Sequence, residues 1–248
     1  MNRSVSIDSL LRQRNAKLKG GGGQSQHAVQ REPLTKVIQA NYRAFELVRD
    51  AVLSRHPKDV DLHARFDDDN RRIMAELTRF DMIDADADKP RAVGVDAKRY
   101  LSGGWLEELA WLTAMEAGAD EALYGQPLSW QVGEYYGENE IDLIVRREQR
   151  LGFVSCKALQ SEFDSDNRKH RNRLMDALHE ADNLGDHFGA PGDRVAILVT
   201  TDLIDEMRQM PRYTALMGKA AALDVRIITL EELGWTKLVA AMGQLIHN

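Results

Sequence analysis

The sequence of 248 residues contains one cysteine, Cys156. A single thiol rules out an intrachain disulfide and any zinc centre built from several cysteines. No stretch of about 18 consecutive apolar residues occurs, so no transmembrane helix is expected. The N-terminus lacks the apolar segment of a secretory signal. These absences together lead us to expect a cytoplasmic protein with no membrane contact. Positive charge is also short: the formal net charge is −6, which argues against a chain that coats nucleic acid with its whole surface. The charge is uneven, however. Residues 1–31 carry Arg3, Arg12, Arg14, Lys17, Lys19 and Arg31 against Asp8 alone. A nucleic-acid backbone needs only a local positive path, so overall acidity does not exclude it as a ligand.

What is present is an ordinary globular composition, 43% apolar and 29% charged, enough for a substantial core. The length suits one mid-sized domain, alone or with a helical extension. Residues 1–31 are mostly polar, with Val5, Ile7, Leu10, Leu11 and Leu18 as the main apolar positions, followed by the run from Gly20 to Gly23. This segment reads as a basic flexible tail, with a short helix over 7–18 as an option and an arm that touches nucleic acid or a partner as the alternative. Over 34–55, Leu34, Val37, Ile38, Tyr42, Phe45, Val48, Val52 and Leu53 recur at helical spacing, and Pro57 marks the stop. A second helix is predicted over 60–80, and 81–98 reads as a connector. Residues 32–99 therefore form a helical extension without a site motif, suited to dimerisation or to docking a regulatory protein.

The pattern changes from residue 100. Gly103 and Gly104 precede a helix over 105–117. Three β-like runs follow, at 128–136, 140–147 and 152–159, with tight connections expected at 137–139 and 150–151, so an antiparallel meander is predicted. A helix over 166–188, a buried strand over 194–200, a helix over 203–222 with Pro211 as a point of interruption, a strand over 225–230 and a final helix complete the order. The fold class is α/β: a mixed sheet flanked by helices over 100–248.

Two charges interrupt the apolar strands. Asp142 stands among Ile141, Leu143, Ile144 and Val145, and Lys157 among Phe153, Val154, Cys156, Ala158 and Leu159. A charge placed mid-strand is costly unless paired or bound to metal. Alternation puts Glu140 with Asp142 on one face, and Ser155 with Lys157 on one face of the next strand. One reading is a cross-strand Asp142–Lys157 ion pair. The other is chemical. Asp142 would hold a hard cation such as Mg²⁺ or Mn²⁺, and Lys157 would orient a water and offset charge on an attacked phosphate.

Gly103-Gly104-Trp105-Leu106-Glu107, Asn139-Glu140-Ile141-Asp142 and the Cys156-Lys157 strand end together resemble the PD-(D/E)XK nuclease domain of CRISPR ancillary effectors. In that family the nuclease is joined to a cyclic-oligoadenylate sensor (CARF) domain. The resemblance covers 100–235 and implies a restriction-endonuclease-like fold and metal-dependent phosphodiester hydrolysis of DNA or RNA. It also implies a role in antiphage defence, and a homodimer. It assigns Glu107, Asp142 and the Cys156 backbone carbonyl to the metal and Lys157 to catalysis. Two positions depart from it. Ser155 stands where the family has a glutamate, and Glu180 stands where the following helix has a lysine. Some restriction enzymes of the superfamily read Ser-x-Lys and take the missing carboxylate from the next helix, so Glu180 is the candidate migrated ligand, with Asp176 second. Without a migrated ligand, the alternative is a catalytically impaired subunit that binds nucleic acid or a protein partner. Residues 1–99 show neither βαβ alternation nor a Gly-rich nucleotide turn, so a partner protein is expected to replace the sensor.

Arg168, Lys169, Arg171 and Arg173 open the helix after Lys157. Cations there oppose the helix dipole, which favours a phosphate track over a solvated helix start. His170, His179 and His187 are expected at the surface or against substrate, and Trp105, Trp111, Trp130 and Trp235 in the core.

Overall fold

The computed structural model describes residues 5–53, 67–84 and 90–247. Arg3, the helix stop at Pro57 and the first part of the predicted 60–80 helix lie outside the described residues.

A six-stranded mixed sheet organises the chain. Its strands are β1 (Ala16–Leu18), β4 (Glu121–Val132), β5 (Tyr135–Arg147), β6 (Arg150–Lys157), β7 (Arg194–Val199) and β10 (Val225–Ile228), side by side in that order. The short pairs β2 (Ile83–Asp84) with β3 (Arg91–Ala92) and β8 (Ile204–Asp205) with β9 (Met210–Pro211) stand apart from it. The predicted meander is present: β4, β5 and β6 pair antiparallel, while β6, β7 and β10 run parallel. Helices cover both faces, as expected of an α/β fold with a buried parallel segment.

On one face lie α2 (Ser25–Ala40), α3 (Tyr42–Leu53), α4 (Asp68–Arg79), α5 (Gly94–Arg99), α6 (Trp105–Glu116) and α9 (Trp235–His247). Helix α6 is apolar on almost every side because it is covered by helices and sheet alike. Trp105 at its start is fully buried and stacks on Tyr42 with ring centroids 5.4 Å apart. The other face carries α1 (Ile7–Gln13), α7 (Arg168–Phe188) and α8 (Thr214–Ala222). Helix α7 puts Leu174, Ala177, Leu178, Ala181, Leu184 and Phe188 inward at three- and four-residue spacing.

The helical region also holds the chain where it leaves β6. Tyr42 donates to the Leu159 carbonyl at 2.6 Å, and Glu46 accepts from the Ser161 amide at 3.1 Å and from its hydroxyl at 2.6 Å. The segment after Lys157 is therefore pinned by α3, across more than a hundred residues of sequence.

Four expectations are corrected. Residues 5–31 are not a flexible tail. Ser6 and Ser9 cap α1 reciprocally, Ile7, Leu10 and Leu11 are buried, and β1 pairs with β4, Ala16 opposite Trp130. The glycine run is a crossing point: a side chain at Gly22 would collide with Gln126, and one at Gly23 with the Tyr124 ring. The β4–β5 turn is Gly133-Glu134, since Val132 pairs with Tyr135, and Gly137 lies inside β5 against Trp130. The next turn is Glu148-Gln149 rather than 150–151, with Arg147 paired to Arg150. The predicted 203–222 helix is a β8–β9 hairpin followed by α8, because Pro211 cannot continue a helix and Gln209 turns at φ 53°.

Burial of the N-terminal arm has a measurable consequence. Leu11→Ala should lower unfolding free energy by about 2–4 kcal/mol, the usual cost of truncating a fully buried leucine. Urea denaturation checks it; a mobile tail would be indifferent to the change.

Candidate active site

The two strand-borne charges meet where β5 and β6 stop pairing. The ladder runs from Arg147–Arg150 to Leu143–Val154 and ends there. Beyond it the Asp142 carboxylate takes the Cys156 amide, which donates to Oδ2 at 2.7 Å, and the Ser155 hydroxyl donates to the same oxygen at 3.2 Å. On the other side of β5 the ladder to β4 is broken at one position, Gly125, which stands opposite Asp142 at φ +49°. A side chain there would lie 2.8 Å from a Glu107 oxygen and 2.6 Å from an Arg99 nitrogen. Glycine at 125 thus lets the α6 carboxylate reach the strand that carries Asp142.

Lys157 Nζ lies 2.7 Å from Glu180 Oε2 and 4.0 Å from Asp142 Oδ2. The simple Asp142–Lys157 pair is therefore not the arrangement; the closer partner is the glutamate on α7. Arg99, at the end of α5, repeats the pattern on the opposite side, 3.1 Å from Glu140 and 3.9 Å from Glu107. Each cation sits between two carboxylates. Glu108, next to Glu107, is buried and paired with Arg31, so only Glu107 is turned toward Asp142.

The electrostatics follow from this crowding. Burial pushes Glu107 up to about 7, and the charges of Asp142 and Glu140 add to it against the pull of Arg99. Burial also raises Asp142, although the Cys156 amide, Lys157 and the Ser155 hydroxyl oppose the rise. For Lys157, burial acts to lower the pKa, but the Glu180 hydrogen bond and the field of Asp142 outweigh it, and the ammonium is held above its usual range. Lys157 is therefore held in its charged form. Loss of water raises the Cys156 thiol well above its ordinary value, with Asp142 and Glu107 adding to the effect, so the thiol is not a nucleophile.

Asp142, Ser155, Lys157 and Glu180 line an open cleft of about 390 Å³, together with Trp130, Asn139, Glu140, Asn183, Leu184, His187 and Phe188. Glu107 opens into a neighbouring cleft of about 200 Å³, shared with Arg99, Arg31, His27 and the glycine run. The predicted residues thus converge on the broken edge of β5 from both faces of the sheet. The basic residues Arg168, Lys169, Arg171 and Arg173 do not line either cleft. They occupy the first turns of α7, and Arg173 stands about 10 Å along the helix from Glu180 at the usual rise per residue.

One side-chain expectation fails: His170 is buried, not at the surface, with its ring 5.6 Å from that of Phe163, and burial lowers its pKa. Trp130 is partly buried against the core beside α1 and also lines the Asp142 cleft, donates to Asn139 at 2.8 Å and lies 5.9 Å from the His187 ring. His187 had a legible signal, since Glu180, Asn183 and His187 share one helix face. Arg99 had none beyond its place before the Gly103-Gly104 turn.

Asp142, Glu107, Glu180, Glu140 and the Cys156 carbonyl offer oxygen ligands, the chemistry a hard divalent cation prefers. Around the β5 edge four carboxylates face two cations, so the cluster is acidic. Burial is the main cause of the raised Glu107, and the charges of Asp142 and Glu140 add to it. The donor chemistry present fits such an ion, although among the described residues no three His, Cys, Asp or Glu side chains converge as a ready cage.

Residues 95–240, more than half of the chain, match the profile of the Card1-like endonuclease domain. The chain belongs to this family of PD-(D/E)XK-type nucleases. The family's match starts just before Arg99 and includes Glu107, Asp142, Lys157 and Glu180. Two solved structures share the fold over nearly the whole chain. Protein VC1899 from Vibrio cholerae aligns at a TM-score of 0.64 and 18% identity, covering 98% of this chain and 63% of its own. Can2 from Sulfobacillus thermosulfidooxidans, solved in complex with cyclic tetra-adenylate, aligns at 0.62 and 12% identity, covering 96% and 61%. The chain therefore spans about three-fifths of the length of either protein, and the shared fold takes in the N-terminal helices as well as the family's domain. No curated protein matches the sequence.

Proposed function

We propose that this chain is a divalent-metal-dependent endonuclease that hydrolyses phosphodiester bonds in DNA or RNA, with its active site at the broken edge of β5. The observation that carries the reading is the acidic edge of β5, where Asp142 and Glu180 flank Lys157 and Glu107 and Glu140 flank Arg99. Asp142, Glu107, Glu180 and the Cys156 carbonyl would hold Mg²⁺ or Mn²⁺. The ion would supply an activated water and charge neutralisation at the phosphate. The protein's own contribution is separable from it. Asp142 is aimed by the Cys156 amide and the Ser155 hydroxyl. Lys157, braced by Glu180, presents a fixed positive charge to the oxygen on which charge develops. Trp130 and His187 wall the cleft on the substrate side, and Arg168, Lys169, Arg171 and Arg173 extend a positive path along α7 for the backbone.

The family's position among CRISPR-associated nucleases supports a role in antiphage defence in the cytoplasm. A homodimer fits the common habit of such enzymes to cut as pairs. The α2–α4 region is the proposed docking site for a regulatory protein, since it grips the segment after Lys157 through Tyr42 and Glu46.

Incubation of the purified chain with labelled single-stranded DNA, duplex DNA and RNA, with Mn²⁺, Mg²⁺ or EDTA, tests the reading. Metal-dependent cutting of at least one substrate, lost in Asp142→Ala and in Lys157→Ala, is expected. Ser155 favours one competing reading, a subunit that binds without cutting. Binding unchanged by either variant, with no cleavage under any metal, would establish that reading instead.

A further inference from the structure

Arg99 is half-exposed and held by its backbone. Its carbonyl accepts from the Ser102 hydroxyl at 3.0 Å, and the chain kinks just beyond, at Gly103, before α6 begins. The side chain reaches from this anchor across the Gly125 gap to Glu140 at 3.1 Å and Glu107 at 3.9 Å. One of those carboxylates faces the Arg99 cleft and the other the Asp142 cleft. The guanidinium therefore stands on the boundary between the two, beside the oxygens available to a divalent ion.

We propose that Arg99 is an exchangeable counter-ion: it occupies the acidic edge when metal is absent, yields it to the divalent ion, and then binds a substrate phosphate. This rests on the metal-dependent reading of the same site. Three features support it. The ion pairs it makes are long or solvent-exposed, so each is weak and cheap to give up. A single and a double positive charge within a few ångströms repel, so an entering divalent ion favours the outward position of the side chain. A released guanidinium is a planar fork suited to a phosphate, and its backbone anchor fixes where that fork can reach. Lys157 is not equivalent. It is less exposed than Arg99, and its bond to Glu180, at 2.7 Å, is shorter than either pair of Arg99.

The idea predicts effects of opposite sign on two ligands. In the full chain, Arg99→Gln should bind Mn²⁺ about 3- to 10-fold more tightly by calorimetry, since a competing charge is gone. With Ca²⁺ as an ion that allows binding, the same variant should bind a labelled oligonucleotide about tenfold more weakly. The slope of log affinity against log salt should fall by about one phosphate. Arg99→Lys should restore most of the salt slope. A residue with a merely structural role would weaken both ligands and leave the slope alone. Unchanged or weaker Mn²⁺ binding by Arg99→Gln, or an unchanged salt slope, overturns the proposal. If the wild-type chain binds no Mn²⁺ at all, the metal-dependent reading itself fails, which is a different result from a wild-type site that binds Mn²⁺ and ignores the Arg99 change.

Discussion

Asp142→Asn should reduce cleavage by at least about 10³-fold while leaving the fold intact, because it removes a charge on which the reaction depends and little else. Asparagine has the same shape, and its side-chain oxygen can still accept from the Cys156 amide that now donates at 2.7 Å. The circular dichroism spectrum and the melting temperature should stay close to wild type, and Mn²⁺ binding by calorimetry should be lost. Lys157→Gln separates the two charges. It should cost about 10²- to 10³-fold in rate, the usual loss when a group facing developing charge is removed, yet it should not weaken metal binding. Since Glu180 and Asp142 hold the ammonium above its usual range, wild-type activity should not decline between pH 7 and 9 through loss of this charge. Asp142→Asn that cuts at near the wild-type rate would move the active site elsewhere.

The second large effect runs against intuition. Glu107→Gln should abolish or strongly reduce cleavage and yet make the metal-free protein more stable above neutral pH. The Glu107 carboxyl has a pKa of about 7 in the folded chain, raised by burial and by Asp142, against about 4.3 in an unfolded one. Between those values the folded state holds the proton more tightly than the unfolded state, so stability falls as pH rises. At pH 8 in EDTA the penalty is nearly complete, and glutamine, which carries no charge, should recover on the order of 3–4 kcal/mol. At pH 4 the two proteins should be equally stable. Saturating Mn²⁺ should then reverse the order. At about 1,000 times its dissociation constant the ion adds roughly 4.1 kcal/mol to a protein that binds it, and only the wild type keeps the full ligand set. Urea titrations at pH 4 and pH 8, with and without Mn²⁺, read all four states. Equal stability at pH 8 in EDTA would mean that Glu107 is not under strain from its neighbours.

Much of this site is legible in the sequence for one physical reason: a charge inside an apolar β-run must be answered by something. Asp142 and Lys157 announce themselves that way, whereas Glu180 is found through the resemblance, as a departure from the family's pattern. What the residues do not disclose is which partner answers which charge. Lys157 is closer to a residue 23 positions on than to the aspartate on the neighbouring strand. Arg99 and Gly125 were hidden because their roles depend on a gap in a ladder, which leaves no compositional trace. The N-terminal arm was hidden for a related reason. Ile7, Leu10 and Leu11 are too few to imply a core by themselves, and they are buried only because the arm docks on strands far along the chain, as the bond from the Ile7 amide to Glu121 shows. The 203–222 segment misled through composition. Its later half is rich in alanine and forms α8, whereas Pro211 upstream belongs to a hairpin.

The arm changes what counts as the smallest foldable piece. A protein trimmed to the boundaries of its family, beginning at residue 95, would discard β1 and with it the hydrogen-bonding partner of residues 128–130. Strand β4 would then become the rim of the sheet, with a row of open amides and carbonyls beside the uncovered Leu128, a surface that invites other copies to add strands. During synthesis the same constraint sets a waiting time: β1 cannot find its place until more than a hundred further residues have emerged.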